Sequence, residues 1–284
     1  MGISFQNVEH KYPTLKRKVF DIALKDINLN ISEQGEFVAI VGKTGSGKST
    51  LIQHMNALKI PTSGVVDIFG NKITPKKNKN PKLKNVRKRV GFVFQFPEYQ
   101  LFEETVLKDV MFAPLNFGMK QDEAKKNALD TLKLLHITNL QNKSPFNLSG
   151  GQMRKVAIAG ILSYNPDIIL LDEPTRGLDP KGQEEIMEIF YNIHKESNKT
   201  FVMITHDMNL VYKYATRVIV LNGSELTYDG DKYNLFKSGI YENNHLTKPD
   251  VINLIDYLNE KLNLNIDYDH YDLDSLLEYL KEVL

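Results

Sequence analysis

A glycine-rich stretch between residues 42 and 50 carries the clearest chemistry in this sequence. Gly42-Lys43-Thr44-Gly45-Ser46-Gly47-Lys48-Ser49-Thr50 matches the pattern GxxxxGK[ST]. Glycines leave backbone N–H groups free to surround phosphate oxygens, because no Cβ stands in the way. We expect Lys48 to reach the β- and γ-phosphates, Ser49 to bind Mg²⁺ through its hydroxyl, and Thr50 to bond the α-phosphate. This P-loop predicts binding of a nucleoside triphosphate in preference to a plain glycine-rich turn.

Two adjacent carboxylates form a second candidate. Asp172 and Glu173 follow the apolar run Ile168–Leu171. A residue at the end of a buried strand projects toward a bound triphosphate, so Asp172 is expected to hold Mg²⁺, through water. Glu173 is then placed to orient or deprotonate an attacking water. The alternative is a helix-capping turn with solvated acids, and the P-loop in the same chain argues against it.

Two further features fit an anion site. His206 follows the apolar run Phe201–Ile204, so it lies at a strand end, where α/β sheets bind ligands. Ser149-Gly150-Gly151-Gln152 precedes a stretch rich in Ala and Ile, which predicts a second helix N-terminus suited to an anion. The alternatives are a structural histidine and an ordinary Gly-Gly turn before a helix.

These residues need a scaffold of strands and helices. The first thirty residues alternate apolar and polar types, which predicts short antiparallel strands. Residues 103–164 show helical spacing, and two amphipathic helices are predicted after about residue 240. Strands are predicted at Phe37–Val41, Val65–Phe69, Val90–Phe94, Ile168–Leu171, Phe201–Thr205 and Arg217–Leu221, and helices at Ser49–Leu58 and Gln183–Ser197. Alternation of this kind predicts a largely parallel α/β sheet.

Composition excludes several classes of protein. The chain has 284 residues, 42% hydrophobic and 25% charged, which is typical of a folded globular protein. It has no cysteine, so disulfides, cysteine-bound zinc, iron–sulfur clusters and thiol catalysis are excluded. No signal peptide and no apolar run of about 20 residues is present. The sequence therefore predicts a cytoplasmic protein whose membrane role, if any, depends on a partner.

The near-neutral net charge of the chain conceals two segments of opposite charge. Residues 72–89 hold nine bases and no acid, whereas residues 241–284 hold ten acids and three bases. The basic segment could contact nucleic acid or anionic lipid, but it has no interleaved aromatic for base stacking. We interpret it as a solvated surface loop and predict no nucleic-acid partner.

Five motifs together resemble the ATP-binding-cassette (ABC) ATPases over about residues 3–235. Beyond the P-loop they are the signature Leu148-Ser149-Gly150-Gly151-Gln152, the Walker B run ending in Asp172-Glu173, Gln95 after Phe94, Gly177-Leu178-Asp179, and Thr205-His206-Asp207. The resemblance implies a RecA/F1-like P-loop NTPase core with antiparallel β and α-helical subdomains. It implies an ABC ATPase domain over 1–238, a helical subdomain at about 98–165, and a C-terminal helical extension over 239–284.

The same resemblance implies roles for individual residues. Glu173, His206, Lys48 and Gln95 would be catalytic, with Ser49, Gln95 and Asp172 around Mg²⁺. Tyr12, thirty residues before Gly42, would stack on adenine, although a core or edge-strand tyrosine is the alternative. The signature residues would complete the ATP site of a second ATPase arranged head to tail, and Asp179 would be a further nucleotide-binding residue. ATP and Mg²⁺ are the implied cofactors.

The stretch Phe94-Gln95-Phe96-Pro97-Glu98-Tyr99-Gln100-Leu101-Phe102 resembles the energy-coupling-factor (ECF) transporter ATPases, including cobalt-type import ATPases. Residues 172–180 are closer to the second ATPase type of that family, although Arg176 stands where a small residue is expected. The resemblance implies an importer for a vitamin or transition-metal ion, with a transmembrane coupling subunit and a separate substrate-binding membrane subunit.

The aromatic stretch also suits a docking surface on physical grounds. Phe96, Tyr99 and Phe102 could form a groove for apolar helices of the coupling subunit, and Glu98 could meet a base on it. The alternative for Tyr99 and Phe102 is the core of the helical subdomain. The resemblance to the ECF ATPases implies that the acidic tail helps pair two ATPases, identical or homologous, at the cytoplasmic face of the cell membrane.

The alternative function is a DNA-repair or chromosome ATPase of the same superfamily. Such proteins carry long coiled-coil insertions between the nucleotide motifs. Only about 120 residues separate Thr50 from Asp172, and no sustained heptad run lies between them. The sequence therefore favours transport.

Overall fold

The computed structural model describes residues 2–14, 19–76, 83–270 and 272–283, which form two β-sheets with flanking helices. The strands are β1 (Ile3–Pro13), β2 (Phe20–Ile31), β3 (Phe37–Val41), β4 (Ser63–Ile68), β5 (Asn71–Ile73), β6 (Val90–Val93), β7 (Ile168–Asp172), β8 (Thr200–Ile204), β9 (Arg217–Asn222) and β10 (Glu225–Gly230). The helices are α1 (Lys48–Met55), α2 (Leu83–Arg89), α3 (Val106–Asn116), α4 (Gln121–Leu134), α5 (Gly150–Leu162), α6 (Pro180–Ser197), α7 (Met208–Tyr214), α8 (Lys232–Lys237), α9 (Ile240–Asn243), α10 (Asp250–Leu262) and α11 (Leu273–Val283).

The larger sheet has the strand order β10-β9-β3-β8-β7-β6. Its strands from β9 to β6 are parallel, and β10 is an antiparallel edge strand. All five residues of β3 are buried. Val38 and Ile40 belong to the core beneath α1, whereas Ala39 and Val41 belong to the core with α7 and α8. Burial on both faces explains the unbroken apolar run in β3 and confirms the predicted parallel α/β sheet.

A second sheet covers α1 from the other side. It is antiparallel, with the order β2-β1-β4-β5. Apolar residues from β1 and β2, such as Ile3 and Leu24, share one core with Leu51 and Ile52 of α1. The alternating pattern of the first thirty residues therefore forms antiparallel strands, as predicted, and their apolar face holds the helix that follows the P-loop.

The helices α3, α4 and α5 are inserted between β6 and β7. Their facing residues, including Val110, Ala128, Leu132 and Val156, form a common core. Thr105 begins α3 as an N-cap, since its side chain accepts a hydrogen bond from the Lys108 amide. The helical spacing in residues 103–164 thus corresponds to a helical insertion.

Both C-terminal helices form where apolar spacing predicted them. The apolar face of α10 is covered within the chain, because Val251, Ile252 and Ile255 are buried with Tyr212 of α7 and Leu235 of α8. Other apolar side chains of the tail remain exposed: Leu262 is 53% exposed, Leu273 47% and Leu277 50%. One part of the tail is therefore packed into the core with α7 and α8, and another part is an open surface.

The basic segment differs from the predicted loop. Residues 71–73 form β5 and residues 83–89 form α2, whose Val86 is buried in the core beneath α1. Residues 77–82 lie outside the described residues. The lysines and arginines of α2 mask its helical character at the sequence level, because one buried residue in seven leaves no visible apolar stripe.

Candidate active site

Four neighbouring parallel strands bring the predicted motifs to one edge of the larger sheet. The strands β3, β8, β7 and β6 lie side by side in that order. The P-loop follows β3, His206 comes shortly after β8, Asp172 ends β7, and Gln95 comes shortly after β6. Parallel strands end at a common edge, so motifs about 160 residues apart in sequence meet there.

A cleft of about 370 Å³ lies at this edge. The antiparallel sheet forms one wall, the P-loop forms the floor, and the ends of β7 and β8 close it. The lining residues are Tyr12, Asp21, Ile22, Ala23, Thr44, Gly45, Gly47, Lys48, Ser49, Thr50, Glu173 and His206. The structure therefore brings the P-loop, the second carboxylate and the histidine together around one space.

Two P-loop positions accept only glycine. Gly42 has φ +141°, and a Cβ there would lie 2.0 Å from the Leu221 carbonyl oxygen. Gly47 has φ +102°, and its Cβ would lie 2.1 Å from the Ala23 carbonyl oxygen. The loop is thus packed tightly against β2 and β9. Its backbone curvature is fixed before any ligand arrives, as a phosphate cradle requires.

Two polar groups of the loop, the Ser46 hydroxyl and the Lys48 ammonium, are suited to bind an anion. The Ser46 hydroxyl is buried and has no hydrogen-bond partner among the described residues. The Lys48 ammonium donates to the carbonyl oxygens of Gly42 at 2.7 Å and Lys43 at 2.8 Å. Burial lowers the pKa of Lys48, although nearby Glu173 and Asp172 oppose the shift. An anionic phosphate would give both groups a stronger partner than they have now.

The two carboxylates differ in environment. Burial, with the charge of Glu173, raises the pKa of Asp172 to about 6, while Lys48 opposes the shift. Glu173 is also partly buried, which disfavours its charge, but hydrogen bonds from Arg176 and Gln95 and the nearby His206 outweigh burial and lower its pKa. Asp172 is thus the carboxyl that a cation would stabilise most.

Glu173 is the hub of the site. Its Oε2 accepts hydrogen bonds from Gln95 Nε2 at 2.6 Å and Arg176 Nη1 at 2.8 Å. Its Oε1 lies 2.9 Å from Nε2 of His206. Its backbone is left-handed, with φ +48°, and its amide donates to the Ile204 carbonyl of β8. The side chains of Gln95, Arg176 and His206 therefore converge on one carboxylate, which lines the cleft.

The oxygen donors suit Mg²⁺ bound together with phosphate. Within the described ranges, no three His, Asp or Glu side chains form a cluster that could hold a metal by themselves. Asp172, the Ser49 hydroxyl and the Gln95 amide oxygen remain as candidates. A single carboxylate with neutral oxygens is typical of Mg²⁺, which keeps waters and takes further ligands from phosphates.

Tyr12 stands beside the P-loop helix. Its hydroxyl is 3.1 Å from the Thr50 hydroxyl, and the Lys59 ammonium lies 4.8 Å from its ring centre. His10 packs edge-on against the same ring at 4.7 Å. These contacts fix the ring in the cleft wall, where a planar base could lie against it.

The signature and Asp179 lie elsewhere. Ser149 and Gln152 form a reciprocal capping box at the start of α5, and Gly150 and Gly151 have open space around them. Asp179 caps α6 by accepting from the Gly182 amide at 3.0 Å. None of these five residues lines the cleft. Within one subunit the P-loop therefore does not meet the signature.

The aromatic stretch is largely on the surface. Phe96 is 38% exposed, Tyr99 83% and Phe102 55%, whereas Phe94 packs against the core beneath α1. Glu98, which we predicted to meet a base on another protein, has a basic partner within its own chain. Glu98 is paired with Arg154, and its side chain is only 14% exposed.

Three residues near the site had no role assigned from sequence. Arg176 binds Glu173, and Arg154 binds Glu98. His245 of the tail borders a second cavity of about 260 Å³, which Lys43 and His206 also line. Only Arg176 had a visible signal, because it replaces an expected small residue in the Asp172–Pro180 motif.

Comparisons with known proteins agree with this geometry. The family model described as "ABC transporter" matches residues 24–176. The chain is 51% identical over 246 residues to the energy-coupling factor transporter ATP-binding protein EcfA2 of Ligilactobacillus salivarius, covering 86% of this chain and 84% of the relative. It is 49% identical to EcfA2 of Bacillus subtilis, covering 77% and 79%.

Two solved structures are similar in fold. One is CbiO1 from Clostridium perfringens, described as part of the ABC transporter complex CbiONQ, with a TM-score of 0.73, 33% identity and coverage of 92% and 95%. The other is a dimeric post-hydrolysis state of the cassette MJ0796 bound to ADP and Pi, with a TM-score of 0.70, 37% identity and coverage of 81% and 98%.

Proposed function

This chain belongs to the ATP-binding proteins of ABC transporters, in the energy-coupling factor group of the second ATPase type, and we propose that it hydrolyses ATP to power uptake through a membrane partner. The observation that carries the proposal is the convergence of Gln95, Arg176 and His206 on Glu173, beside a preformed P-loop. A merely structural turn would not gather these groups at the mouth of a cleft. Vitamins and transition-metal ions are the proposed cargo, chosen by a separate membrane subunit.

The residues of the cleft divide the chemistry among them. Lys48, the P-loop amides and the Ser46 hydroxyl bind the phosphates, and Tyr12 supports the adenine. Bound Mg²⁺, held by Ser49, Asp172 and Gln95, would neutralise charge on the β- and γ-phosphates. Glu173 accepts a hydrogen bond from the attacking water and takes its proton, while His206 donates to the γ-phosphate. Gln95 links the nucleotide site to the aromatic stretch, because its side chain contacts Glu173 and the residue belongs to that stretch.

A second ATPase completes the site in our proposal. The signature residues and Asp179 of this chain do not line the cleft of its own P-loop, so we propose that they contact the nucleotide of another copy or homologue. A start-of-helix site with two unobstructed glycines suits a γ-phosphate. The exposed apolar residues of the tail add a further contact between the two ATPases.

The aromatic stretch is the proposed docking surface for the membrane coupling subunit. Phe96, Tyr99 and Phe102 expose apolar rings, and Phe112 of α3 extends the patch by packing edge-on against Phe102 at 4.7 Å. Every described helix is too short or too polar to cross a bilayer. We propose that the protein is a peripheral subunit on the cytoplasmic face of the cell membrane, because its relatives are ATP-binding subunits of transporters.

The alternative role in DNA repair finds no support. The inserted helices α3, α4 and α5 have 11, 14 and 13 residues, far shorter than a coiled-coil arm. The relatives are transporter subunits.

Purification of the tagged chain from its native membrane tests the proposal. We expect a second cassette ATPase and membrane proteins to co-purify, and ATP hydrolysis by the reconstituted complex to drive uptake into vesicles. Co-purification of DNA without membrane proteins would overturn the proposed function. A Lys48→Ala complex serves as the control that assembles without binding ATP productively.

A further inference from the structure

Arg154 is a buried cation at the beginning of α5, two residues after the signature. Its side chain is only 4% exposed. The hydrogen bonds of its guanidinium reach two other segments of the chain. A charge at this depth is retained only when its donors are satisfied, so the segments it binds are held closely.

The first segment is the aromatic stretch. Arg154 Nε donates to Glu98 Oε2 at 3.2 Å, and Nη2 donates to Oε1 at 3.1 Å. This two-pronged arrangement matches the planar guanidinium to the carboxylate and fixes direction as well as distance. The Gln95 carbonyl oxygen lies 3.5 Å from the same Nη2. The guanidinium therefore spans the stretch from the metal-site glutamine to the docking surface.

The second segment follows Glu173. Arg154 Nη1 donates to the Arg176 carbonyl at 2.8 Å and lies 3.4 Å from that of Pro174. Phe96 comes close to the same segment, since a Cβ on Gly177 would lie 3.9 Å from its ring. The Arg154 side chain thus connects the start of α5 to two segments: the one that begins at Gln95 and the one that follows the proposed catalytic Glu173.

The far end of the aromatic stretch is held separately. The amides of Phe102 and Glu103 both donate to Asp109 Oδ2 of α3 at 2.9 Å. Between the two anchors lies Tyr99, 83% exposed. The aromatic stretch is therefore held to the helical insertion by two polar anchors, Arg154 and Asp109, in addition to the burial of Leu101 in the core of the insertion.

We propose that Arg154 is a positioning residue that makes the signature end of α5 and the docking surface move as one body, so that engagement of the signature by a partner's nucleotide is passed to the membrane subunit. This inference rests on the proposed function. The physical reason is that separating the two segments would leave a buried guanidinium and a carboxylate unpaired. The pair therefore behaves as a rigid strut, whereas exposed pairs such as Lys108–Glu104 can separate at little cost in free energy.

Three variants of the assembled complex test the strut. Glu98→Gln keeps the shape of the side chain and removes its charge. Arg154→Lys keeps the charge and loses the two-pronged geometry. The double variant completes a cycle. Lys155→Gln is the matched control, because Lys155 is the next residue on α5 and pairs with Glu185 instead.

Two measurements are made on each complex. The first is the number of cargo molecules transported per ATP hydrolysed in vesicles. The second is hydrogen exchange of residues 96–102 and of the first turns of α5, with and without the non-hydrolysable analogue adenylyl imidodiphosphate. Thermal unfolding and subunit stoichiometry show whether each variant folds and assembles.

We expect Glu98→Gln and Arg154→Lys to lower transport per ATP by about five-fold or more, with no further loss in the double variant. In both, the analogue should alter exchange in α5 but no longer in residues 96–102. Wild-type transport per ATP, or a wild-type exchange response in residues 96–102, would overturn the proposal. If a variant only lost stability, its assembled fraction would show wild-type coupling, which also counts against the strut. Failure of the wild-type complex to transport would instead refute the proposed function.

Discussion

Replacement of Glu173 by glutamine separates its chemical role from its structural one. The amide oxygen of the introduced glutamine can still accept from Gln95 and Arg176, so the local geometry should persist. The lost ion pair is with Arg176, whose side chain is 58% exposed, and such a pair contributes at most about 1 kcal/mol. Removal of a negative charge beside Asp172 relieves a repulsion and offsets part of that loss. We therefore expect the melting temperature to change by at most about 4 °C.

The kinetic effect should be far larger. A carboxylate that removes a proton from water contributes about 10²- to 10⁴-fold to a rate, and an amide cannot take that proton. This loss corresponds to about 3–5 kcal/mol of transition-state stabilisation. The assay compares ATP hydrolysis by the assembled Glu173→Gln complex with ATP affinity measured by equilibrium binding. We expect affinity within about three-fold of wild type and turnover reduced by about 100-fold or more. Turnover within about five-fold of wild type would refute the assignment of Glu173 as the water-activating group.

Three other predictions concern the loop, a buried histidine and the tail. Gly47→Ala should weaken ATP binding by about ten-fold or more in calorimetry, because its Cβ would meet the Ala23 carbonyl at 2.1 Å on a left-handed backbone; unchanged affinity would contradict the loop geometry. Burial lowers the pKa of His54 to about 4. Above about pH 6.5 it is neutral folded or unfolded, but below that pH only the unfolded chain gains the proton, so the free energy of unfolding should fall by about 3 kcal/mol between about pH 6.5 and 4. Urea unfolding should show a smaller fall in His54→Gln, and an equal fall would exclude His54 as the cause. Leu273→Asp with Leu277→Asp should leave the melting temperature nearly unchanged, since both side chains are about half exposed, but should reduce pairing of the two ATPases in analytical ultracentrifugation; undiminished pairing would remove the tail from that interface.

The functional centre was predictable because its residues follow strands that are easy to recognise. The apolar runs before Gly42, Asp172 and His206 each indicate a buried parallel strand, and parallel strands end at one edge. Local sequence therefore placed these three motifs near one another. Gln95 follows the run Val90–Phe94, which Gly91 interrupts, and it needed the family resemblance to be recognised.

The contacts between motifs could not be predicted in the same way. Arg154 and Glu98 are 56 residues apart, and their pairing depends on how the helical insertion packs against the end of β6. The sequence did not show that Glu98 pairs with Arg154 within the chain, because charge alone does not reveal an internal partner. Likewise, the stripe on α10 indicated an amphipathic helix correctly, but only the packing shows that its own domain covers Val251 and Ile255.

The left-handed backbone at Glu173 has an evolutionary consequence. A φ of +48° is adopted more cheaply by glycine or asparagine than by a glutamate, so this position trades local stability for the presence of a carboxylate. A copy of this gene that no longer drove transport would tolerate glycine or asparagine at this codon, whereas a Cβ at Gly42 or Gly47 would still meet a backbone carbonyl oxygen at about 2 Å.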